Sequence, residues 1–150
     1  MARRTTKISA AAPIETIWAG LWDESAWPGL TESIEEVEIL DVGDRHGNGR
    51  LRRIHQHRRW WDPTIMMERT ERVAHQRAID AVVHHHRGDL RHSWRLQIEP
   101  RTRTTTVLVL DENVDVDEPR YPGEARMLSD RLLGLRPILL QALTEPRAEP

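Results

Sequence analysis

The sequence predicts an α+β fold: a seven-stranded curved antiparallel sheet around a long C-terminal helix, with two short helices after strand 1. Three observations carry this. Helical spacing of apolar residues occurs just after the start of the 150 residues and again near their end. The stretch between them reads as successive short strand-like runs. The gaps between those runs are short and polar, so neighbouring strands pair antiparallel. The length suits one domain, residues 1–150, with a tail at 146–150 left frayed.

The elements follow in order. TTKISA (5–10) forms a short strand. In the next segment Pro13 fits the first helical position, and Ile14, Ile17, Trp18, Leu21 and Trp22 share one helical face. ESAWPGLTE (24–32) is a second short helix or turn, broken by Pro28 and Gly29. Residues 33–43 form a strand and GDRHGNG (43–49) a glycine-rich turn. Strands then follow at 50–61, 64–73, 77–85, 90–99 and 104–114, the first ended by Asp62-Pro63. Residues 121–145 close the chain as a long helix. Its apolar stripe is Ala125, Leu128, Leu132, Leu135, Leu139 and Ala142, with a bend expected near Gly134 and Pro137.

Composition narrows the function. The formal charge is −2, which argues against a nucleic-acid-binding module. Of the 22 basic residues only Lys7 is lysine, so the arginines reflect genome composition more than arginine chemistry. Absence of cysteine excludes disulfides, thiolate metal sites and cysteine nucleophiles. The start MARRTTKISA has charges but no apolar stretch, so no signal peptide is expected. No apolar run is long enough to span a membrane, and the expected location is cytoplasmic. Six Trp, one Tyr and no Phe leave tryptophan to build the core or the walls of a pocket.

Four stretches, ISAAAPIETIWAGLWDESAWP, VEILDVGDRHGNGRLRR, ERTERV and WRLQIEPRTRTTTVLV, follow one another along the chain. With the order of elements, they resemble the START-like, or SRPBCC, superfamily with its helix-grip fold, in particular the polyketide cyclase/dehydrase-like members. Each stretch is loose; their order carries the resemblance across nearly the whole chain. It implies a hydrophobic cavity between sheet and long helix. Some members of that family cyclise and aromatise poly-β-ketone chains without metal or organic cofactor, and others carry or sense a ligand.

Strand parity then assigns side chains to the cavity face. A two-residue turn at Arg87-Gly88 pairs Val83 with His92 and Ala81 with Trp94, and buries Ile79. His85 and His92 then point inward. A three-residue turn would instead bring Asp80, Val82, His84 and His86 inward. In strand 50–61 neither parity is cleanly apolar. A turn over residues 61–63 pairs His55 with Arg69, His57 with Met67 and Arg53 with Glu71, which gives the cavity a polar end. The alternative is a slipped register with these charges on the outer face. A zinc site needs three or four ligands at about 2.0–2.2 Å. HQH (55–57) and HHH (84–86) lie on non-adjacent strands, so no metal is expected.

Two functions from different classes fit. In the first, the protein binds a hydrophobic, polyketide-like or aromatic molecule and promotes its cyclisation by acid/base chemistry, with no cofactor. His55 or His92 would move the proton, and Arg69 or Arg53 would stabilise the developing anion. Trp27, Trp61, Met67, Glu71, Val83, His85, Trp94, Leu128 and Leu132 would line the cavity. Trp18 and Trp22 would serve the core. The substrate's expected partner is an acyl carrier protein, and the chain's own is a second copy in a homodimer. In the second, the protein is a non-catalytic carrier or sensor of a lipid-like small molecule, which needs only a cavity and a few polar anchors.

Overall fold

The computed structural model describes residues 2–56, 64–85, 90–117, 120–124, 126, 127, 133 and 135–144. Strand β1 (Ala2–Ala10) leads into helix α1 (Ile14–Trp22), a 3-10 turn at Glu24–Ala26 and the short helix α2 (Trp27–Leu30). Six strands follow: β2 (Ile34–Asp41), β3 (Leu51–Gln56), β4 (Thr64–Ala74), β5 (Ala78–His84), β6 (Leu90–Pro100) and β7 (Thr106–Val116). Helix α3 (Leu135–Thr144) packs against α1, α2 and β1. The sheet has seven strands in the order β1-β7-β6-β5-β4-β3-β2, every pair antiparallel.

Local chemistry explains the elements. Pro13 sits at the N-cap of α1, and Ile17, Trp18 and Leu21 form its buried stripe. Trp27 is fully buried and its indole N–H donates to the Gly20 carbonyl at 2.9 Å, which ties α2 to α1. A Cβ on Gly20 would stand 2.9 Å from Leu143 Cδ2, so α1 and α3 meet on a face that glycine keeps flat. Gly47 has a φ of +93° and lies under the Trp22 ring, where a Cβ would come within 2.6 Å. Ile17, Leu108, Leu110 and Leu140 are 0 % exposed. Each such side chain contributes about 1.5–3 kcal/mol relative to exposure.

The β5–β6 hairpin pairs Val83 with His92 and Ala81 with Trp94, the register expected from burying Ile79. The β3–β4 register differs from expectation. His55 faces Ile65, Arg53 faces Met67 and Leu51 faces Arg69, a slip of four residues from the expected pairing. An even slip does not change which face a residue takes; the face itself is also reversed. Arg52, Ile54 and Gln56 on β3, and Met66, Glu68 and Thr70 on β4, are the buried set. Arg53, His55, Met67, Arg69 and Glu71 therefore belong to the outer face, as in the slipped alternative. The reversal buries Ile54 against Met66, and the Arg52–Glu68 ion pair makes the charged neighbours tolerable inside.

The C-terminal segment is not one continuous helix. Residues 124, 126 and 127 are helical, Leu133 lies in a turn, and α3 begins at Leu135. Pro137 falls in the first turn of α3, where its missing N–H costs no intrahelical bond. Leu139 and Leu140 face the core, and Arg136 is buried beside them. Among the described residues, no helix is long and apolar enough to cross a membrane.

Candidate functional site

Two adjacent rows of cross-strand neighbours on the inner sheet face build the site. One runs Arg52, Glu68, Val83, His92, Val114, Ala2, and the next Thr70, Ala81, Trp94, Glu112, Arg4. Arg52, Glu68, His92 and Glu112 are each at most 5 % exposed. Buried charges of this kind need partners. Arg52 binds Glu24 at 2.7 Å and Glu68 at 2.8 Å, and donates to the Leu21 carbonyl at 3.1 Å. Glu24 also takes two bonds from Arg50, at 2.5 and 2.9 Å. Glu68 accepts from the Trp94 indole N–H at 3.0 Å and from Arg136, reaching down from α3. The Arg136 guanidinium lies 4.7 Å from the Trp94 ring centroid and 5.7 Å from that of Trp27.

The charges shift one another. Burial raises the Glu24 carboxyl, but the bonds and charge of Arg50 and Arg52 outweigh it and hold the group below the ordinary carboxylate range. Burial, with the like charge of Arg52, pushes Arg136 down to about 9, so it remains cationic at neutral pH.

Glu112 has no such clamp. It is 0 % exposed, and burial pushes its carboxyl up against the opposing influence of His92 and Arg4. Its two carboxylate oxygens and His92 Nε2 have no hydrogen-bond partner among the described residues. His92 Nε2 stands 3.7 Å from Glu112 Oε2. On its other side, His92 Nδ1 is 3.0 Å from His85 Nε2. A residual space of about 10 Å³, near the least that holds one water, lies among Glu68, His92, Trp94, Glu112 and Arg136. Among the described residues, packed charged and aromatic side chains lie beneath α3, and the space between them is water-sized.

Larger space opens elsewhere. A concavity of about 560 Å³ lies at the ends of β5, β6 and β7; most of its lining, Val82, His84, Arg91, Ser93, Asn113 and Asp115, alternates with the inward-facing Val83 and His92 and so belongs to the outer face. That is the size of a small-molecule site. His92 and Val83 border both this concavity and the water-sized space. Leu90 and Ala2 pack with Val114 and Leu133 in a second apolar cluster, apart from the main core.

The structure brings together Val83, His85, His92 and Trp94, and places Trp27 over the two guanidiniums at 5.0 and 5.7 Å. It does not bring Arg53, His55, Arg69, Met67 or Glu71 to the interior. Arg53 pairs with Glu38 at 2.9 Å, His55 Nε2 stands 3.7 Å from Glu38, and Arg69 reaches the Gly49 carbonyl at 3.5 Å. These outward positions correct the expected acid/base and anion-stabilising roles of His55, Arg53 and Arg69, and the expected lining roles of Met67 and Glu71. Trp61, Leu128 and Leu132 lie outside the described residues. Glu36, Glu38 and His55 hold ligand atoms within 4.8 Å of one another on the outer face, where Arg53 already neutralises Glu38. Sequence reasoning missed Glu24, Arg52, Glu68, Glu112 and Arg136. Glu112 was within reach, because it shares parity with Leu108, Leu110 and Val114.

No family model matches the sequence, and no curated protein matches it. Solved structures do. The Zhui aromatase/cyclase from Streptomyces sp. R1128 superposes with a TM-score of 0.77 at 18 % identity, covering 95 % of this chain and 91 % of that one. A START superfamily protein from Mycobacterium smegmatis gives 0.71 at 20 % identity, over 95 % and 94 %. Ara h 8.0201 gives 0.70 at 10 %, over 95 % of each chain. Identities this low establish a shared architecture.

Proposed function

We propose that this chain, whose fold is the START-like helix grip, binds a hydrophobic, oxygen-bearing small molecule of polyketide-like or aromatic kind and promotes its cyclisation. The carrying observation is the position of His92. It is buried on the inner face beside an unclamped carboxyl, Glu112, and is one of the residues bordering a concavity of about 560 Å³ whose lining lies mostly on the outer face.

Aldol cyclisation needs a base for a carbon-bound proton, a donor for the developing alkoxide, and a wall that folds the chain. His92 and Glu112 are the acid/base pair. Burial raises the Glu112 carboxyl above the ordinary carboxylate range, against the opposing influence of His92 and Arg4. Arg136 supplies fixed positive charge beside the water-sized space next to this pair. Similarity of fold to an aromatase/cyclase supports the reaction class without assigning it. The alternative is a non-catalytic carrier, favoured by the packing beside the pair: about 10 Å³ admits a water but no substrate carbon.

Incubation with a reactive poly-β-ketone separates these readings. The wild type is expected to give one ring pattern, and His92→Gln and Glu112→Gln the spontaneous mixture. The same spontaneous mixture from all three would sink the enzyme reading. Ligand binding by calorimetry in that case would leave the carrier.

A further inference from the structure

We propose that Arg4 is a positioning residue for the acid/base pair: its guanidinium stands on the Leu133 carbonyl while Glu112 is neutral, and turns onto the Glu112 carboxylate when that group ionises. The proposal rests on the reading of His92 and Glu112 as the acid/base pair, and adds what answers the charge of its carboxyl.

Strand register brings the two residues together. Arg4 on β1 lies directly opposite Glu112 on β7. Arg4 shares parity with Thr6, Ile8 and Ala10, and Glu112 with Leu108 and Leu110, so both side chains stand on the inner face of the sheet. Residues directly opposed across an antiparallel pair have Cβ atoms about 4.5–5.5 Å apart, well within the reach of an arginine. Yet no hydrogen bond joins them. Both Glu112 oxygens are without a partner among the described residues, and Arg4 Nη1 donates to the Leu133 carbonyl at 3.2 Å. The charge of Arg4 is felt at Glu112 all the same, where it opposes the effect of burial.

The two partners of the guanidinium differ in kind. A carbonyl accepts a hydrogen bond of ordinary strength, whereas a carboxylate accepts charge-assisted, often bidentate bonds that are roughly twice as strong. A neutral Glu112 therefore offers Arg4 little that Leu133 does not. An ionised Glu112 is a buried charge that needs a partner. The other cations nearby are committed: Arg52 to Glu24 and Glu68, and Arg136 to Glu68. Glu68 from β4 is in turn held by those two arginines, and His85 meets Glu112 only through His92, whose Nε2 is 3.7 Å from the carboxyl. Arg4, exposed at the sheet's edge, is the cation with a weak bond to give up. On ionisation the Glu112 O–H bond breaks and the proton passes to solvent. The Arg4 N–H then leaves the Leu133 carbonyl and bonds the carboxylate. Packing of Leu133 with Val114 keeps the turn before α3 in place when its carbonyl is released.

The test follows the Glu112 carboxyl by 13C and the Arg4 guanidinium by 15N NMR, between about pH 4 and 9. In the wild type the Arg4 signals are expected to move in the same step as the Glu112 carboxyl, and in Glu112→Gln to stay flat through it. Arg4 signals that ignore the Glu112 step would overturn the exchange, and this arm decides it even if Arg4→Gln fails to fold. Arg4→Gln is expected to raise the Glu112 midpoint by about one unit or more, and Arg4→Lys, which keeps the charge, to restore most of it. An unmoved midpoint in Arg4→Gln would also overturn the proposal. In the cyclisation assay the pH profile of Arg4→Gln is expected to move up by the same amount, with ligand affinity unchanged. A moved midpoint with an unmoved profile would remove Glu112 from the acid/base pair and leave the Arg4–Glu112 coupling established. Wild-type protein without cyclisation would remove the enzyme reading, while the shared NMR step would still establish the coupling.

Discussion

Arg52 and Glu68 face each other across β3 and β4, joined at 2.8 Å with 2 % and 0 % of their side chains exposed. Each holds further partners, Glu24 on one side and Arg136 on the other, so the network spans α3, the sheet and the turn after α1.

Breaking such a pair leaves an uncompensated charge inside. Arg52→Met is expected to destabilise by about 3–5 kcal/mol, read by urea denaturation. Arg52→Met combined with Glu68→Leu is expected to cost less than the single change. A double variant weaker than the single one would contradict this account of the network.

Glu112 and Glu24 give opposite pH signatures. Burial raises Glu112, so its contribution is full below the ordinary carboxylate range and is lost as pH rises through its own raised pKa. The advantage of wild type over Glu112→Gln should therefore shrink on that climb, measured as the difference in Tm. Glu24 is held low, so its contribution is present above the ordinary range and is lost as pH falls through its depressed pKa. Glu24→Gln should remove part of the acid-side loss.

The outer-face residues are expected to be bystanders. His55→Ala and Arg69→Ala should each change stability by no more than about 0.5 kcal/mol and leave cyclisation unaltered. His92→Gln should lower turnover by about 10²–10⁴. Equal losses at His55 and His92 would return the active face to the other side of the sheet.

At Gly47 the backbone and the Trp22 ring both exclude a side chain. Gly47→Ala is expected to cost about 1–3 kcal/mol by thermal denaturation, through strain at positive φ and displacement of the indole.

Much of this architecture was legible in the residues. Periodicity marked α1 and the strand order, and the parity of Ile79 and Val83 set the β5–β6 register that carries His92 inward. The β3–β4 face was misread because the strand-local pattern weighs apolar residues and prices charges as outward. Met67, Ile65 and Val73 made the odd positions look like the core side. Nothing within strand 50–56 announces that Arg52 is neutralised by Glu24, 28 residues away, or that Glu68 meets Arg136, 68 residues away. Long-range charge pairing decided the face, and it appears only once the sheet and α3 are assembled.

The pairing of Ala2 with Val114 at the sheet's edge has a kinetic meaning. The first strand has no neighbour until β7 has been made, so the chain must be synthesised through Val116 before β1 is seated. Loops this long close late, and folding should fall in the slow, millisecond-to-second class of sheet-dominated proteins.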